Sequence, residues 1–561
     1  MKSLKVALLG DSATQLLSQA IRGYGFESHL NLEMFEADYD QIERQVFDPS
    51  SELFSHKPDF VIIFHSASRL KRSFCRLSHE RRGGLAEEHI EKVDKIYNSI
   101  LSKHDCRVIY FNFPEDHDEV FGNYANKVPS SFLYQIRKLN YELMNFSQTH
   151  NNLFINDLCA LQSRYGKDFA SDAKMRVNYD MPFSLEFLPL AAKNIVEIIE
   201  SIIGRINKCL ILDLDNTLWG GVIGDDGMEN IQIGDLGIGK AFTELQLWIK
   251  DLKKRGVILT VCSKNEESAA KEPFEHHPDM VLRLEDISLF VANWNNKDVN
   301  IKFIKDTLHI GYDSMVFLDD SPFERGLVKA SLPDVSVPDL PEDPAEYLDY
   351  LTKQNLFETG SFSQQDEKRT QQYQQESHRR VAQDKFLNEA DFLASLDMIA
   401  EVETFTSFNT PRVAQLTQRS NQFNLRTVRY TEDEIARISS SDKYLTLALS
   451  LEDKYGDYGL ISVVILEDQG LSLFIDTWIM SCRVLKRGME HFTLSRIVRL
   501  ARENRKEKII GEYIPTAKNA IVKDHYLNLG FKNDGGNWVL TPEDHREEEY
   551  YINLKKGEKH T

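Results

Sequence analysis

The chain has 561 residues, of which 42% are hydrophobic and 27% charged, a composition typical of a globular protein with three or four domains. Its formal net charge of −20 argues against nonspecific binding to nucleic acid or to an anionic membrane, because contacts with phosphate groups would be repulsive overall. No apolar run approaches the length of about eighteen residues that a membrane-spanning helix needs. Six scattered cysteines without a metal-binding spacing indicate reduced thiols, so we expect a cytoplasmic protein.

The first 200 residues have the rhythm of a doubly wound α/β domain. Apolar runs at residues 4–9, 60–64 and 108–111 predict strands, and helical stretches alternate with them. The first run predicts a strand and not a signal peptide, because no small-residue cleavage site follows it.

Gly10-Asp11-Ser12, directly after the first predicted strand, resembles the nucleophile block of SGNH (GDSL-type) hydrolases, with Ser12 at the nucleophile position. A serine there needs a histidine base, which these hydrolases carry in a late DxxH motif. The nearest match, residues 180–183, ends in phenylalanine. We therefore predict an SGNH-like domain over residues 1–203 that is not catalytic, with Ser12 as a vestigial nucleophile. Its role would be to bind a partner or to shape access to the central site.

A short uncharged run at residues 209–212 is followed directly by Asp213 and Asp215. Such a run predicts a strand buried on both faces of a parallel sheet, and open α/β sheets place their chemistry at the carboxyl ends of these strands. Two carboxylates there need a partner at neutral pH, and Mg²⁺, which prefers oxygen ligands, is the simplest one. The alternative is an ordinary turn after a strand, since Asp, Asn and Gly are turn formers.

Later stretches favour the metal site over the turn. Two further uncharged runs, residues 257–261 and 315–318, also predict buried strands, and amphipathic segments between them predict helices. Polar residues follow both runs, and a lysine lies between them: Ser263, Lys297, Asp319 and Asp320.

DLDNT at residues 213–217, then Ser263, Lys297 and the Asp319-Asp320 pair resemble the four motifs of the haloacid dehalogenase (HAD) superfamily in the same order. The longer strings WGGVIGDDG, VCSKN and FLDDSPFER are similar to its FkbH-like subfamily, subfamily IIIC. The resemblance implies a Rossmann-like parallel sheet over residues 204–350. The short span between the first two motifs implies a small cap and an open site.

The resemblance also implies the roles of the site residues. Asp213 would attack phosphorus and form an aspartyl phosphate, while Asp215 would act as general acid and then as general base. Ser263 and Lys297 would bind the phosphoryl group. The implied Mg²⁺ ligands are Asp213, the backbone carbonyl of Asp215, and Asp319.

Two neighbours of these motifs leave alternatives open. Asp320 is either a further metal ligand or a group that supports the ligands. Cys262 is either a core residue at the end of its strand or a thiol acceptor, because FkbH-like enzymes are thought to transfer a glyceryl group to a carrier thiol.

Residues 351–397 are long, polar and rich in Gln, Glu and Arg, which predicts a solvated helical linker. Residues 398–561 follow with predicted strands at 398–405, 444–450, 459–466 and 471–480, the last two joined by a hairpin turn. The predicted architecture is therefore α/β and multidomain, ending in an α+β domain.

The C-terminal region resembles the GNAT acyltransferase fold through the string SCRVLKRGME, which opens a helix, and through the later Asn519 and Tyr526. Arg483 and Gly488 match the usual Arg/Gln-x-x-Gly-x-Gly/Ala pattern, whereas Lys486 replaces its first glycine. These residues imply binding of a phosphopantetheine arm, which coenzyme A and acyl carrier proteins share. The alternative is a GNAT-shaped module without chemistry.

Three hypotheses for function follow. The first is an FkbH-like enzyme that loads a glyceryl group from a small phosphorylated substrate, 1,3-bisphosphoglycerate, onto the thiol of a separate acyl carrier protein. The second is a plain phosphatase of a small phosphorylated metabolite in surface-polysaccharide or secondary metabolism. The third, a non-catalytic scaffold, is disfavoured by the complete set of HAD motif residues.

Overall fold

The computed structural model describes residues 1–115, 120–362, 373, 375, 388–420, 422–481, 484–516, 518–546 and 550–555. The chain divides into two compact units, residues 1–200 and 201–561. Most of the predicted helical linker lies outside the described residues. The finer domain boundaries after residues 203, 350 and 397 stay predictions.

The first unit contains a five-stranded sheet in the described part of the chain, with all its strand pairs parallel. The strand order β2-β1-β3-β4-β5 is the flavodoxin type of doubly wound fold, which confirms the predicted doubly wound α/β domain. The strands are β1 (Lys2–Gly10), β2 (Leu30–Glu36), β3 (Phe60–Phe64), β4 (Arg107–Phe111) and β5 (Leu153–Asn156). The α-helices are Gln15–Glu27, Ile42–Phe47, Glu52–His56, Ala67–Arg76, His79–Arg82, Leu85–Leu101, Phe132–Thr149, Leu158–Tyr165, Lys167–Ala170, Ala173–Tyr179 and Leu188–Ile202.

The second unit begins with a four-stranded parallel sheet of order β8-β7-β6-β9. Its strands are β6 (Cys209–Leu212), β7 (Ile258–Ser263), β8 (Leu289–Ala292) and β9 (Met315–Leu318). Alternate side chains of β6 enter two different apolar clusters, so this strand is buried on both faces, as its uncharged sequence predicts. The α-helices are Ile223–Asp226, Gly239–Lys254, Glu267–His276, Lys297–Leu308, Pro322–Ser331 and Tyr347–Gln354.

The C-terminal part of this unit forms an eight-stranded mixed sheet within the described residues, in the order β15-β16-β14-β13-β12-β11-β10-β17. Its pairs are antiparallel except for β13–β14 and β10–β17. The strands are β10 (Met398–Glu403), β11 (Tyr444–Asp453), β12 (Gly456–Asp468), β13 (Ser472–Met480), β14 (Lys508–Gly511), β15 (Lys532–Asp534), β16 (Asn537–Leu540) and β17 (Ile552–Leu554). The α-helices are Glu389–Ser395, Thr410–Arg419, Glu432–Ser439, Met489–Glu503 and His525–Asn528.

These sheets confirm the predicted fold class, an α/β multidomain chain that ends in an α+β region. The span between β6 and β7 holds one short helix, Ile223–Asp226, and one long helix, Gly239–Lys254, which agrees with a small cap. Among the described helices, none combines the length and the apolar character that crossing a membrane would require.

Candidate active site at the central parallel sheet

Asp213 and Asp319 follow the neighbouring parallel strands β6 and β9, so both lie at the same carboxyl edge of the central sheet. The backbone N–H of Asp213 donates to the carbonyl of Leu318 at 3.0 Å, which ties the two strand ends together. Both carboxylates are buried, with 6% of Asp213 and none of Asp319 exposed. The sheet topology thus brings together the first and last predicted motifs.

Lys297, the first residue of the helix Lys297–Leu308, lies between these two carboxylates. Its Nζ is 2.8 Å from Oδ1 of Asp213 and also donates to Oδ2 of Asp319. Burial acts against the charge of Lys297, but the two aspartates together raise the pKa of its ammonium. Burial in turn raises the pKa of Asp213 to about 6, against the opposing pull of Lys297. The result is a buried cluster of opposite charges.

The residues present fit a divalent cation. Within the described part of the chain, Asp213, Asp319 and Asp320 each offer a carboxylate oxygen, and these oxygens all lie within 4.8 Å of one another. Burial raises the pKa of Asp320, and the nearby Asp213 adds to this effect. The cluster has three carboxylates and one ammonium group, so ionised carboxylates carry more charge than Lys297 can neutralise. Mg²⁺ prefers such oxygen ligands.

Asp215 is held in place by donors from two loops. Its Oδ1 accepts hydrogen bonds from Nε1 of Trp219 at 3.0 Å and from the backbone N–H of Ile223 at 2.9 Å. Its Oδ2 accepts from Nδ2 of Asn265 at 2.8 Å, and the same amide lies 3.1 Å from Oγ of Ser263. Asn265 therefore links Asp215 and Ser263, which is itself the buried last residue of β7.

Sequence reasoning missed Asn265 and three charged residues around the site, although all of them stand in the quoted strings VCSKN and FLDDSPFER. Nζ of Lys264 is 2.6 Å from Oε1 of the buried Glu324. Nη1 of Arg325 donates to the backbone carbonyls of Asp319 and Asp320 at 2.8 and 2.6 Å. The Arg325 guanidinium therefore supports the loop that carries two of the three carboxylates.

Cys262 is fully buried in an apolar cluster that includes Ile258, Val291 and Ile301. Its Sγ lies 3.9 Å from the carbonyl of Lys297, and burial raises the pKa of its thiol far above the usual range. The structure thus places Cys262 as a core residue whose sulfur is enclosed, which is unfavourable for a thiol acceptor.

At the corresponding edge of the first sheet, Ser12 is buried, and its Oγ has no hydrogen-bond partner among the described residues. Nδ1 of the buried His65 is 2.8 Å from the hydroxyl of Tyr110, which is 2.9 Å from Nε2 of His89. Phe183, at the position where a DxxH motif needs histidine, is buried. No described hydrogen bond joins Ser12 to a histidine, and the non-catalytic character of this domain stays a prediction.

The predicted phosphopantetheine residues of the C-terminal sheet have separate roles where they are described. Arg483 lies outside the described residues. Gly488, with φ of +81°, is the N-cap of the helix Met489–Glu503. Asn519 is fully buried and donates through Nδ2 to the carbonyls of Asn424 and Ile514, both at 2.9 Å, so it ties loops together.

Tyr526 is also buried, and its ring lies directly against β14. A Cβ at Gly511 would come within 2.3 Å of Cζ of Tyr526, so the glycine makes room for the ring. The ring contacts Phe531, with ring centroids 5.0 Å apart, so Tyr526 forms part of the apolar core of this sheet.

Comparison with known proteins defines the class. Residues 5–200 match the protein family described as FkbH, N-terminal domain. A crystal structure of the N-terminal part of the protein BF1531 from Bacteroides fragilis, which contains a phosphatase domain complexed with Mg, is 53% identical. The match covers 64% of this chain and 96% of that chain, with a TM-score of 0.63. With the central sheet and its carboxylates, it defines a HAD-type domain. The chain belongs to the FkbH-like family of the HAD superfamily.

Other solved structures resemble a smaller part of the chain. The ribosomal-protein-S18-alanine N-acetyltransferase from Escherichia coli is 14% identical and covers 25% of this chain and 88% of its own, with a TM-score of 0.20. Spermidine N-acetyltransferase from Vibrio cholerae, in complex with CoA and spermine, is 13% identical and covers 25% and 91%, also with a TM-score of 0.20. No curated protein matches the chain.

Proposed function

We propose that this chain is a Mg²⁺-dependent HAD-type phosphatase in which Asp213 receives the phosphoryl group. The observation that carries the proposal is the buried cluster in which Lys297 joins Asp213 and Asp319 while Asp320 adds a third carboxylate oxygen nearby. A site of this kind costs folding free energy, and such clusters of perturbed pKa values concentrate at functional sites. The Mg-bound relative of 53% identity supports the same reading.

When bound by Asp213, Asp319 and Asp320, Mg²⁺ would neutralise charge on the phosphate, so that a carboxylate can approach it. A carboxylate oxygen of Asp213 attacks phosphorus, the bond from phosphorus to the leaving oxygen breaks, and Asp215 gives that oxygen a proton. Lys297 keeps a positive charge beside the phosphoryl oxygens.

In the second half of the reaction, Asp215 takes a proton from water, which attacks the phosphorus of the aspartyl phosphate. Phosphate leaves and the Asp213 carboxylate is restored. Trp219 and Asn265 hold the side chain of Asp215 in one orientation through both proton transfers. Ser263, whose Oγ accepts a hydrogen bond from Asn265, would hydrogen-bond the phosphoryl group.

We further propose the glyceryl-loading reaction, in which the substrate is 1,3-bisphosphoglycerate and the acceptor is the thiol of a separate acyl carrier protein. The small cap supports this proposal, because a carrier-bound thiol needs a site that no inserted domain covers. The substrate carries two chemically different phosphates. The ester phosphate suits the route through Asp213, with cleavage between phosphorus and oxygen.

The acyl phosphate of the same substrate must react differently, because a thioester forms only when the carrier thiolate attacks the carbonyl carbon. The bond between that carbon and the bridging oxygen then breaks, and phosphate leaves with all its original oxygens. A plain phosphatase, the second candidate, would instead transfer every phosphoryl group through Asp213 to water.

Oxygen-18 water distinguishes these reactions. The full-length protein, Mg²⁺, 1,3-bisphosphoglycerate and a phosphopantetheinylated carrier are incubated in labelled water, and phosphate and carrier are analysed by mass spectrometry. Glyceryl loading predicts a carrier adduct and two phosphates per adduct, one with a solvent oxygen and one without. Labelled phosphate without an adduct would favour the plain phosphatase. No enzyme-dependent phosphate release from this or from small aryl phosphates would contradict the proposed activity.

A further inference from the structure

Strands β13 and β14 of the C-terminal sheet separate halfway along β13. Their parallel pairing runs from Ser472 opposite Lys508 to Ile475 opposite Gly511, whereas β13 continues to Met480. On its other side β13 stays paired with β12, with an irregularity at Asp476, which has no counterpart there. Residues 476–480 therefore keep one edge on β12 and turn the other edge toward the gap.

The gap is filled by the chain's own residues 423–426, here called the inserted segment. The backbone N–H of Met480 donates to the carbonyl of Phe423 at 3.2 Å, and Asn424 forms an antiparallel bridge with Ile479. On the far side, the N–H of Ile514 donates to the carbonyl of Leu425 at 2.9 Å. The inserted segment thus bonds to both sides of the gap, as an additional strand would.

Side chains fix the inserted segment in this position. Phe423 and Leu425 are buried in the main apolar cluster of the sheet, with 3% and 1% of their surface exposed. Nη1 of Arg426 donates to the carbonyl of Asp476 at 2.9 Å and to its Oδ1 at 2.7 Å, while Nε donates to Oε2 of Glu512 at 2.7 Å. The Arg426 guanidinium therefore bridges the two strand ends at the point where they separate.

The GNAT-like resemblance implies coenzyme A or a carrier-borne phosphopantetheine as a ligand here. The helix Met489–Glu503 follows β13, so a ligand whose phosphate groups bind at the N-terminus of this helix would extend its pantetheine arm beside that strand. The arm carries two amides, and amides taken out of water need hydrogen-bond partners. The edge of residues 476–480 is the neighbouring row of backbone groups that such an arm would use. The inserted segment already occupies this edge, so the described residues do not fit the ligand.

We infer that the C-terminal sheet is closed to acyl-coenzyme A and to a carrier's phosphopantetheine arm, and that the inserted segment is the element that closes it. This region is then a GNAT-shaped module without acyltransferase chemistry. In the proposed loading reaction, the carrier thiol reaches the central site without help from this sheet.

Calorimetric titration of the full-length protein with coenzyme A and with acetyl-coenzyme A tests the inference. We expect no saturable binding, which corresponds to a Kd weaker than about 1 mM. Saturable binding with a micromolar Kd would overturn the inference. The same titration of Asp213→Asn separates the two proposals, because it reports on the C-terminal sheet whether or not the central site hydrolyses phosphate.

Hydrogen exchange tests the closing segment directly, through peptides that contain the amides of Met480 and Ile514. Slow exchange of both amides, unchanged by millimolar coenzyme A, is the expected result. Arg426→Ala should make both amides exchange faster, whereas Lys443→Ala, a control that removes an exposed ion pair with Glu467 on the same sheet, should not. Fast exchange in the unaltered protein, or a change on adding coenzyme A, would show that the edge is open.

Discussion

The edge of the first sheet and the edge of the central sheet have the same architecture but differ in how their buried polar side chains are charged and paired. In both, buried polar side chains follow neighbouring parallel strands. At the central edge, Lys297 lies between two aspartates, and all three are charged partners. At the first edge, burial lowers the pKa of His65 well below its usual range and that of His89 to about 3. These histidines stay neutral and bond to Tyr110 between them.

The difference separates a reaction centre from a packed strand edge. A buried charge is destabilising unless a partner compensates it, and three carboxylates around one lysine leave room for a cation. At the first edge, the hydroxyl of Tyr110 hydrogen-bonds both neutral histidines, whereas Nε2 of His65 has no hydrogen-bond partner among the described residues. The doubly wound fold supplies the position in both cases, but the chemistry depends on the side chains placed there.

Metal removal should affect only the central edge, and the effect on activity should be complete. Chelation with EDTA abolishes phosphate release, and Mg²⁺ restores it. Mg²⁺ at 100 times its Kd should add about 2.7 kcal/mol to the free energy of unfolding. Asp320→Asn should raise the Mg²⁺ concentration needed for half of this stabilisation by about tenfold or more, because one carboxylate ligand is lost.

The matched control for that experiment is Asp225→Asn, which alters an exposed aspartate of the nearby helix Ile223–Asp226. Its Mg²⁺ dependence should equal that of the unaltered protein. Equal Mg²⁺ dependence in Asp320→Asn would remove Asp320 from the metal site.

Lys297→Met should impair both activity and stability. The loss of the cation beside the phosphoryl group should lower kcat by about 10²- to 10³-fold. The free energy of unfolding without metal should fall by about 3 kcal/mol, because two buried carboxylates lose their partner. Urea denaturation with and without Mg²⁺ measures this effect, and Mg²⁺ should recover part of the loss.

The control, Lys302→Met, removes a half-exposed lysine that pairs with Asp298 on the same helix. This change should cost less than about 1 kcal/mol and leave kcat unaltered. A similar loss of stability in both variants would mean that the buried ion pairs of Lys297 stabilise the folded chain no more than the exposed pair of Lys302 does.

At the first edge, the free energy of unfolding should depend on pH as expected for a histidine that is buried in its neutral form. His89 has a pKa of about 3 in the folded chain and 6.5 as an ordinary histidine, so the unfolded state binds more protons between these values. Its stabilising contribution is complete above pH 6.5 and falls as the pH drops, by about 1.4 kcal/mol per pH unit.

Denaturation of His89→Gln between pH 7 and pH 5 should therefore show a shallower loss of stability than the unaltered protein. His79→Gln, at an exposed position, provides the comparison. Parallel curves for the protein and His89→Gln would contradict the buried neutral state.

The smallest effect is expected for Ser12→Ala. Since Oγ of Ser12 has no described hydrogen-bond partner, its removal breaks no bond, and the free energy of unfolding should change by less than about 1 kcal/mol. Hydrolysis of an aryl acetate should equal that of the unaltered protein. A drop in esterase activity that spares phosphate release would show that the first edge is a working hydrolase site.

The central strands and the order of their polar ends could be predicted from the sequence, because uncharged runs followed by Asp213 and by Asp319-Asp320 carry a strong local signal. The face of the sheet on which Cys262 lies could not be predicted from the sequence, since a strand buried on both faces shows no alternation of apolar and polar residues. Asn265 was missed because its contact is with Asp215, 50 residues earlier in the chain. Arg325 contacts the nearby backbone carbonyls of Asp319 and Asp320, but a single charged residue after a strand gives no periodic signal that would reveal such a contact.

The inserted segment of the C-terminal sheet could not be predicted from the sequence, for a similar reason. Residues 423–426 are too few to show a strand period, and they bond to β13 some fifty residues later in the chain. The expectation of a pantetheine site came from a local string around Gly488, which says nothing about what fills the neighbouring gap.

Trapping the phosphorylated residue tests the central claim most directly. The protein is mixed with Mg²⁺ and a small phosphorylated substrate, quenched during turnover and reduced with borohydride, which converts an aspartyl phosphate to homoserine. The account predicts homoserine at position 213, and none in Asp213→Asn or without Mg²⁺. Turnover without modification at position 213, or modification at another carboxylate, would contradict it.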